Sequence, residues 1–133
     1  MATETPFQKL KVLLVEDQPE ARSMTRNMLS ELGITQIFES KDGREALSFM
    51  DMADDFVNFV ICDWNMPNLS GIELLKQIRS VNGALPFLLV TGRTDMDSVF
   101  EAKSAGVSGY IRKPFSPAQL EAKLRALLHK TAA

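Results

Sequence analysis

Short apolar segments alternate with amphipathic segments along the chain, and this alternation is its main structural signal. The first segment, Lys11 to Glu16 (KVLLVE), is rich in valine and leucine but too short for a typical helix, a pattern typical of a strand buried on both faces. Four further segments follow at regular spacing and predict four more strands. They run from Gln36 to Ser40, Phe56 to Asp63, Pro86 to Thr91 and Gly109 to Ile111.

The stretches between the predicted strands begin with helix start signals. Three of them resemble capping boxes, in which the side chains at the N-cap and three residues later accept hydrogen bonds from each other's backbone N–H groups. The last one has proline at the first helical position, where a missing N–H costs no hydrogen bond. The three boxes are Asp42-Gly-Arg-Glu45, Ser70-Gly-Ile-Glu73 and Ser116-Pro-Ala-Gln119.

The stretch from Ser70 to Val81 shows the helical period most clearly. Its apolar residues recur at spacings of three and four, so they share one face of a helix. That face consists of Ile72, Leu74, Leu75 and Ile78. Glycines are expected to end three of the predicted helices. They are Gly33, Gly83 and Gly106.

Five strand-helix repeats, with connections long enough for helices, predict a parallel sheet with right-handed crossovers and helices on both faces. The fold class is therefore α/β, a doubly wound domain with five strands and five helices. We place an N-terminal tail at residues 1–8, one domain at residues 9–130 and a C-terminal tail at residues 131–133. The sequence contains no internal repeat, low-complexity tract or interdomain linker.

The composition agrees with a single small domain and limits the classes of partner that it could bind. Of the 133 residues, 45% are hydrophobic and 24% charged, the balance of one soluble globular unit. The net charge of −2 comes from interspersed acidic and basic residues, so we expect no nucleic-acid partner. No stretch approaches the roughly 18 apolar residues of a membrane span, and Met1 to Lys9 has no apolar run. We therefore expect a cytoplasmic monomer without membrane contact.

The rare reactive residue types point away from thiol and histidine chemistry. A single cysteine, Cys62, and a single histidine, His129, exclude an intrachain disulfide and a multi-histidine metal site. We interpret Cys62 as a core residue and His129 as a surface residue. Trp64 is expected to be a partly exposed loop residue whose emission reports metal binding. Four methionines are expected to fill gaps between helices and sheet. They are Met24, Met28, Met50 and Met52.

Polar residues stand at the carboxyl ends of the predicted strands, where open parallel sheets bind their ligands. Each of them, taken singly, is most often an ordinary helix cap, surface charge or strand residue. Several oxygen ligands and one ammonium at one edge are what a Mg²⁺ and phosphoryl site requires, because hard cations prefer oxygen. The residues are Glu16 and Asp17 after the first strand, Asp63 and Thr91 at the ends of the third and fourth, and Lys113 after the fifth.

Repulsion among the three carboxylates calls for a compensating charge. Two carboxylates about 5 Å apart repel by roughly 3 kcal/mol at an effective dielectric constant near 20. A divalent cation together with Lys113 would supply the compensation. The alternative is a raised carboxylate pKa, which would weaken Asp63 as a nucleophile.

Separated motifs, in order and at the expected strand ends, carry a resemblance to a known family. From about Lys9 to Lys130 the sequence resembles the response-regulator receiver family of two-component signalling, and within it the single-domain chemotaxis regulators. The resemblance implies a flavodoxin-like sheet of order 2-1-3-4-5 and a cis peptide bond before Pro114. The motifs are Glu16-Asp17, Asp63-Trp64-Asn65-Met66-Pro67-Asn68-Leu69-Ser70-Gly71, Thr91-Gly92 and Lys113-Pro114-Phe115.

The resemblance implies a phosphoacceptor and a metal site. Asp63 would attack the phosphohistidine of a sensor histidine kinase as a carboxylate nucleophile and form an acyl phosphate. Asp17, Asp63 and the backbone carbonyl of Asn65 would hold Mg²⁺. Glu16 would act mostly through bound water. Positioning and charge neutralisation of this kind carry most of phosphoryl transfer.

The same resemblance implies how the phosphoryl group is received and read. Lys113 would pair with Asp63 at rest and with a phosphoryl oxygen afterwards, and Thr91 would donate its hydroxyl to another. Gly92 would leave space for the incoming group. Tyr110 would turn inward when Thr91 moves, and a downstream protein target would read the change. The alternative is that Tyr110 is simply a half-buried strand aromatic.

Some residues depart from the pattern of the family. Glu16 stands where many members have aspartate, which lengthens the ligand. Asn65 and Arg93 occupy positions that tune the acyl-phosphate lifetime and partner contacts. The arginine at position 93 differs from the acidic residue associated with chemotaxis regulators. This difference argues against an output at the flagellar motor. Ser70 replaces a common aspartate and is expected to cap a helix.

Three functions can be considered for this sequence. The first is a single-domain response regulator, not an enzyme, that assists its own phosphorylation and dephosphorylation. We expect no effector domain after Ala133, so its output would be partner binding or onward transfer as a relay shuttle. A phosphohydrolase of the haloacid dehalogenase type would need a second carboxylate at position 65, which is asparagine, and a cap domain. A flavodoxin-like cofactor binder would place its phosphate against Glu16 and Asp17, which would repel it.

Overall fold

The computed structural model describes residues 6–53, 56–92 and 95–132. A short 3₁₀ helix, Pro6–Lys9, precedes a regular alternation of strands and helices. Within these residues no helix is both long enough and apolar enough to cross a lipid bilayer. The strands are β1 (Lys11–Val15), β2 (Gln36–Ser40), β3 (Phe59–Asp63), β4 (Phe87–Thr91) and β5 (Gly109–Arg112).

Each strand is followed by one helix, as the alternation of the sequence predicts. The strands form one sheet of order β2-β1-β3-β4-β5 in which all pairs are parallel. The predicted doubly wound fold and strand order are therefore confirmed. The helices are α1 (Pro19–Glu31), α2 (Gly43–Ala53), α3 (Gly71–Val81), α4 (Met96–Ser104) and α5 (Pro117–Ala132).

The central strands are buried on both faces, and alternate residues enter two separate cores. In β1, Leu13 and Val15 pack in a cluster with residues of α2 and α3. Val12 and Leu14 pack on the other side of the sheet, with Leu29 of α1 and residues of α5. This two-sided burial explains why the strands appear in the sequence as continuous apolar runs rather than as alternating ones.

The predicted start of the third strand at Phe56 is wrong, because β3 begins at Phe59. Asn58 lies outside the strand, where its side chain accepts a hydrogen bond from the backbone N–H of Lys11 and donates one to the carbonyl of Lys9. Phe56 is 39% exposed and lies under the Lys11 ammonium, which is 4.8 Å from the ring centroid. The apolar run in the sequence therefore begins before the segment that pairs in the sheet.

Two of the three predicted capping boxes, those starting at Ser70 and Ser116, have both hydrogen bonds. The third differs in one partner. The side chain of Asp42 accepts from the backbone N–H of Glu45 as predicted, at 2.8 Å. The Glu45 carboxylate, however, accepts from the backbone N–H of Lys41 and not from that of Asp42. All three sites thus begin helices, and the first does so with a shifted return bond.

Two of the three predicted helix-ending glycines take a left-handed conformation, Gly33 with φ 99° and Gly106 with φ 91°. The third, Gly83, does not. Here Asn82 ends α3 with an extended backbone, and its side-chain oxygen accepts from the backbone N–H groups of Ala84 and Leu85. An asparagine turn therefore replaces the expected glycine cap.

The methionine prediction is only partly right. Met50 is buried in the core that α2 and α3 cover, and Met28 is partly buried against the core on the other side of the sheet. Met24 is 61% exposed and Met52 is 88% exposed, so neither fills a gap between helix and sheet. Composition does not show which side of an amphipathic helix a methionine occupies. Cys62 is buried and His129 is exposed, as predicted.

Candidate functional site

The predicted polar residues meet at the carboxyl edge of the sheet. Glu16 follows β1, Asp63 ends β3 and Thr91 ends β4. One carboxylate oxygen from each of Glu16, Asp17 and Asp63 lies within 4.8 Å of the others. The parallel register produces this arrangement, because it brings the last residues of neighbouring strands to the same edge.

Lys113 bridges two carboxylates of this cluster. Its ammonium lies 2.9 Å from the Glu16 carboxylate and 3.3 Å from that of Asp63. The side chains of Glu16 and Asp63 are 6% and 8% exposed, and that of Lys113 is 35% exposed. The backbone N–H of Lys113 donates to the carbonyl of Thr91 at 2.9 Å, and its peptide bond to Pro114 is cis. Lys113 thus reaches into the pocket from a backbone tied to β4.

Burial and repulsion act on the Asp63 carboxyl. Burial raises its pKa to about 6, the nearby Glu16 carboxylate adds to the rise, and Lys113 opposes it. Burial also acts to raise the pKa of Glu16, but the hydrogen bonds from Lys113 and from the backbone N–H of Gln18 outweigh it, so this pKa is lowered. The single ammonium, closer to Glu16, compensates that carboxylate and leaves Asp63 undercompensated.

The pKa values of Asp17 and Lys113 are also raised. Burial followed by the neighbouring Glu16 raises the pKa of Asp17. For Lys113, burial acts to lower the pKa, but the hydrogen bond to Glu16 and the charge of Asp63 outweigh it and raise the pKa. When all are ionised, three carboxylates and one ammonium carry two net negative charges. The donor set and the uncompensated charge fit a divalent, oxygen-preferring cation such as Mg²⁺.

The loop after β3 folds back tightly against Asp63. The backbone N–H of Trp64 donates to the carbonyl of Val90, and that of Gly71 donates to the carbonyl of Trp64, both at 2.9 Å. A Cβ on Gly71 would overlap the carbonyl oxygen of Asp63 and would lie 3.0 Å from the Trp64 Cα. Glycine at position 71 thus permits this close approach, which sequence reasoning did not foresee.

The expectation of a partly exposed Trp64 is wrong. Its side chain is 5% exposed and belongs to the core cluster between the sheet and α3. The local sequence places it in a loop, but the indole packs into the core. A buried tryptophan next to Asp63 remains suited to report events in the pocket by its emission.

The β3–α3 connection contains a tight turn and is held by the loop between β2 and α2. The backbone N–H of Leu69 donates to the carbonyl of Pro67 at 2.8 Å, closing a three-residue turn around Asn68, whose φ is 71°. The Asn68 amide donates to the Asp42 carboxylate at 3.2 Å. Gly43 packs so closely on Leu69 that a Cβ there would overlap its carbonyl. No motif in the sequence pairs these two loops.

Further polar contacts hold the acidic pair itself. The guanidinium of Arg22 donates to the backbone carbonyl of Glu16 at 2.8 Å. The backbone N–H of Gln18 donates to the Glu16 carboxylate at 3.2 Å, and its side-chain amide lies 3.4 Å from the Asp17 carboxylate. Sequence reasoning missed both residues, because they sit on a helix start with no motif of their own.

The other residues predicted for the site do not all lie in the pocket. Thr91 is 2% exposed, and Asn65 is exposed in the loop two residues after Asp63. Gly92 is exposed, and a Cβ there would meet no atom within 4 Å. Tyr110 is half-buried on β5, with the Lys123 ammonium 5.6 Å from its ring centroid. Arg93 lies outside the described residues.

A doubly wound sheet with three carboxylates and a lysine at its carboxyl edge is the arrangement of receiver domains. Residues 12–125 match the family described as response regulator receiver domain. The chain belongs to that family.

Relatives within the family include chemotaxis proteins. The chain is 39% identical to chemotaxis protein CheY-3 of Vibrio cholerae serotype O1, over 91% of this chain and 93% of that protein. It is 36% identical to chemotaxis protein CheY of Pseudomonas aeruginosa, over 91% of this chain and 98% of that protein. The solved structure of Vibrio cholerae CheY4 superposes with a TM-score of 0.81 at 33% identity, covering 89% of this chain and 98% of that one. This chain is therefore a CheY-like receiver domain of two-component signalling.

Proposed function

We propose that this protein accepts a phosphoryl group on Asp63 from a sensor histidine kinase and thereby switches its binding to a downstream protein target. The observation that carries the proposal is the shared pocket: one oxygen from each of three carboxylates within 4.8 Å, with Lys113 between Glu16 and Asp63. Membership of the receiver family supports the same role.

The carboxylates of Asp17 and Asp63 would hold Mg²⁺ together with the backbone carbonyl of Asn65, and Glu16 would act through water. When bound, the cation neutralises charge on the transferred phosphoryl oxygens. The loop bonds around Trp64 and Gly71 keep the backbone after Asp63 in one conformation, which supports a fixed position for Asn65. The pocket is thereby preorganised by the chain itself.

In the transfer step, a carboxylate oxygen of Asp63 forms a bond to phosphorus as the phosphorus–nitrogen bond of the donor histidine breaks. The bonding pair of electrons stays on the imidazole nitrogen, which takes up a proton. Lys113, already 3.3 Å from the Asp63 carboxylate, would follow the new charge and pair with a phosphoryl oxygen. Thr91, buried at the end of β4, would donate its hydroxyl to another.

The register of β4 and β5 supports a role for Tyr110 in reading the phosphorylated state. Leu89 pairs with Tyr110, and Thr91 pairs with Arg112. Because strand residues alternate between faces, Thr91 and Tyr110 lie on the same face of the sheet on neighbouring strands. A movement of Thr91 toward the phosphoryl group would therefore change the space next to the Tyr110 ring.

The surface formed by α4, β5 and α5 has the properties of a protein-binding face. Met96 and Phe100, one helical turn apart on α4, are 87% and 73% exposed. A groove of about 780 Å³ runs between β5 and α5, and it includes Tyr110 and Lys123. Large apolar side chains exposed together on one helix face are typical of interaction sites. The chemotaxis proteins among its relatives favour a chemotaxis-type output for this face.

Phosphorylation is tested by incubating the purified protein with acetyl phosphate and Mg²⁺ and measuring its intact mass. We expect a gain of one phosphoryl group that disappears in Asp63→Asn and in the presence of a chelator. Asp51→Asn, which changes an exposed aspartate on α2, is the matched control and should label like the unchanged protein. Equal labelling of Asp63→Asn would show that Asp63 is not the acceptor.

The switch is tested with beryllofluoride, a stable phosphoryl mimic, and amide NMR spectra. We expect shifts that extend from the pocket to Tyr110 and to the exposed residues of α4. Shifts confined to the pocket would contradict a partner switch and favour a relay shuttle that only passes the phosphoryl group on. Asp63→Asn, treated in the same way, should show neither pattern.

A further inference from the structure

Arg22 joins the acidic pocket to the edge of the sheet. It lies on the first turns of α1, and its guanidinium donates to the backbone carbonyl of Glu16 at 2.8 Å. Its Nε pairs with the carboxylate of Glu39 on β2 at 3.2 Å. The side chain of Arg22 is only 22% exposed. One planar side chain thus contacts both the backbone of a pocket residue and an anion on the neighbouring strand.

The contact with the Glu16 carbonyl bears on Asp17 through the peptide bond. The carbonyl of Glu16 and the N–H of Asp17 belong to one planar unit, so a bond that orients the first also orients the second. The backbone N–H of Glu16 is held separately by the carbonyl of Ser40, at 3.1 Å. Arg22 therefore fixes the one peptide plane through which the chain passes from β1 to the second carboxylate of the pocket.

A neighbouring arginine provides an internal comparison. Arg26, one helical turn further along α1, pairs with the other oxygen of the Glu39 carboxylate at 2.9 Å and donates to the carbonyl of Ile37 at 3.3 Å. Both arginines tie α1 to β2 through the same anion. Only Arg22 also contacts Glu16, so a general role in fastening the helix is shared and a role in the pocket is not.

We propose that Arg22 is a positioning residue for the acidic pocket. It holds the Glu16–Asp17 peptide plane in the orientation in which Asp17 shares a cation with Asp63. The inference rests on the proposed function, in which these carboxylates hold Mg²⁺. Its two acceptors, the Glu16 carbonyl and the Glu39 carboxylate, suit the rigid fork of a guanidinium, which a lysine does not reproduce.

The test compares Arg22→Gln with Arg26→Gln. Mg²⁺ affinity is measured by titration of the emission of Trp64, the single tryptophan. We expect Mg²⁺ binding to weaken about 10-fold in Arg22→Gln, as for other residues that orient a metal ligand, and less than about 2-fold in Arg26→Gln. At saturating Mg²⁺ the rate of labelling by acetyl phosphate should return close to normal in both. Equal Mg²⁺ dissociation constants for the two variants would overturn the proposal.

A second measurement needs no metal. In amide NMR spectra of the metal-free proteins, the signals of Asp17 and Gln18 should shift in Arg22→Gln and stay in place in Arg26→Gln. If Arg22→Gln does not fold, Arg22→Lys replaces it, and weaker Mg²⁺ binding is expected because lysine cannot hold both acceptors. Unchanged affinity in a folded Arg22→Lys would also overturn the proposal.

The two proposals fail in different ways. If the unchanged protein shows no Mg²⁺-dependent emission change and no labelling of Asp63, the proposed function fails. If the unchanged protein binds Mg²⁺ and is labelled while both arginine variants behave alike, only the role of Arg22 fails.

Discussion

The ammonium of Lys113 lies 2.9 Å from the carboxylate of Glu16, a residue 97 positions earlier in the chain. This ion pair joins the end of β5 to the end of β1 across the pocket. The same ammonium is 3.3 Å from Asp63. A single ammonium therefore faces two buried carboxylates and does not fully compensate both.

Replacing Lys113 with methionine removes that compensation. We expect the metal-free protein to lose about 1 to 2 kcal/mol of unfolding free energy, less than for a fully buried pair because Lys113 is 35% exposed. Urea unfolding at pH 7.5 measures the loss. Lys76→Met, which changes an exposed lysine on α3, is the control and should change stability little. A loss no larger than that of the control would contradict the role of the bridge.

The raised pKa of Asp63 makes stability depend on pH. Between about pH 4 and pH 6 the folded protein binds this proton more tightly than the unfolded chain does, so the unfolding free energy falls as the pH rises through this window. Glu16, whose pKa is lowered, contributes in the opposite sense, because the stability it adds is lost as the pH falls. We expect Asp63→Asn to be about 2 kcal/mol more stable than the unchanged protein at pH 7.5 without metal.

Urea unfolding between pH 4 and pH 8 tests this expectation. The stability of Asp63→Asn should vary less across the window than that of the unchanged protein. Mg²⁺ should stabilise the unchanged protein more than the variant, since it supplies the missing positive charge. Parallel pH profiles for the two proteins would contradict a pKa of Asp63 near 6.

Gly71→Ala should disturb the site through the backbone. The new Cβ would overlap the carbonyl oxygen of Asp63 and approach Leu89, so we expect a loss of about 2 to 3 kcal/mol and weaker Mg²⁺ binding. Gly83→Ala is a matched control, because a Cβ there meets no atom within 4 Å. Its unfolding free energy should change by less than about 0.5 kcal/mol. Similar losses in both variants would indicate a general effect of removing glycine.

Tyr110→Ala separates phosphorylation from its readout. The rate of labelling by acetyl phosphate should stay within about 2-fold, because Tyr110 stands two residues before the strand end and does not belong to the carboxylate cluster. The beryllofluoride-dependent NMR shifts of α4 should shrink. Tyr110→Phe keeps the ring and should retain most of them. Undiminished shifts in Tyr110→Ala would mean that Tyr110 is only a strand aromatic.

The alternation of apolar strands and capped helices was determined by the sequence itself, because periodicity and capping act over a few residues. It predicted all five strands, and the parallel direction of the strands follows from the lengths of the connections, whereas the order of the strands came from the family resemblance. The pocket residues were predictable once the strand ends were known. Glu16, Asp63 and Lys113 stand at strand ends, and a parallel sheet brings strand ends to one edge.

Only the tertiary structure decided how those residues are held. Three examples are the burial of Trp64, the hydrogen bond between Asn68 and Asp42, and the contact of Arg22 with Glu16. Each brings together residues from different parts of the fold. Such contacts have no period along the chain. They depend on the packing of whole elements against one another, which is why local patterns located the site and left its supporting contacts undetermined.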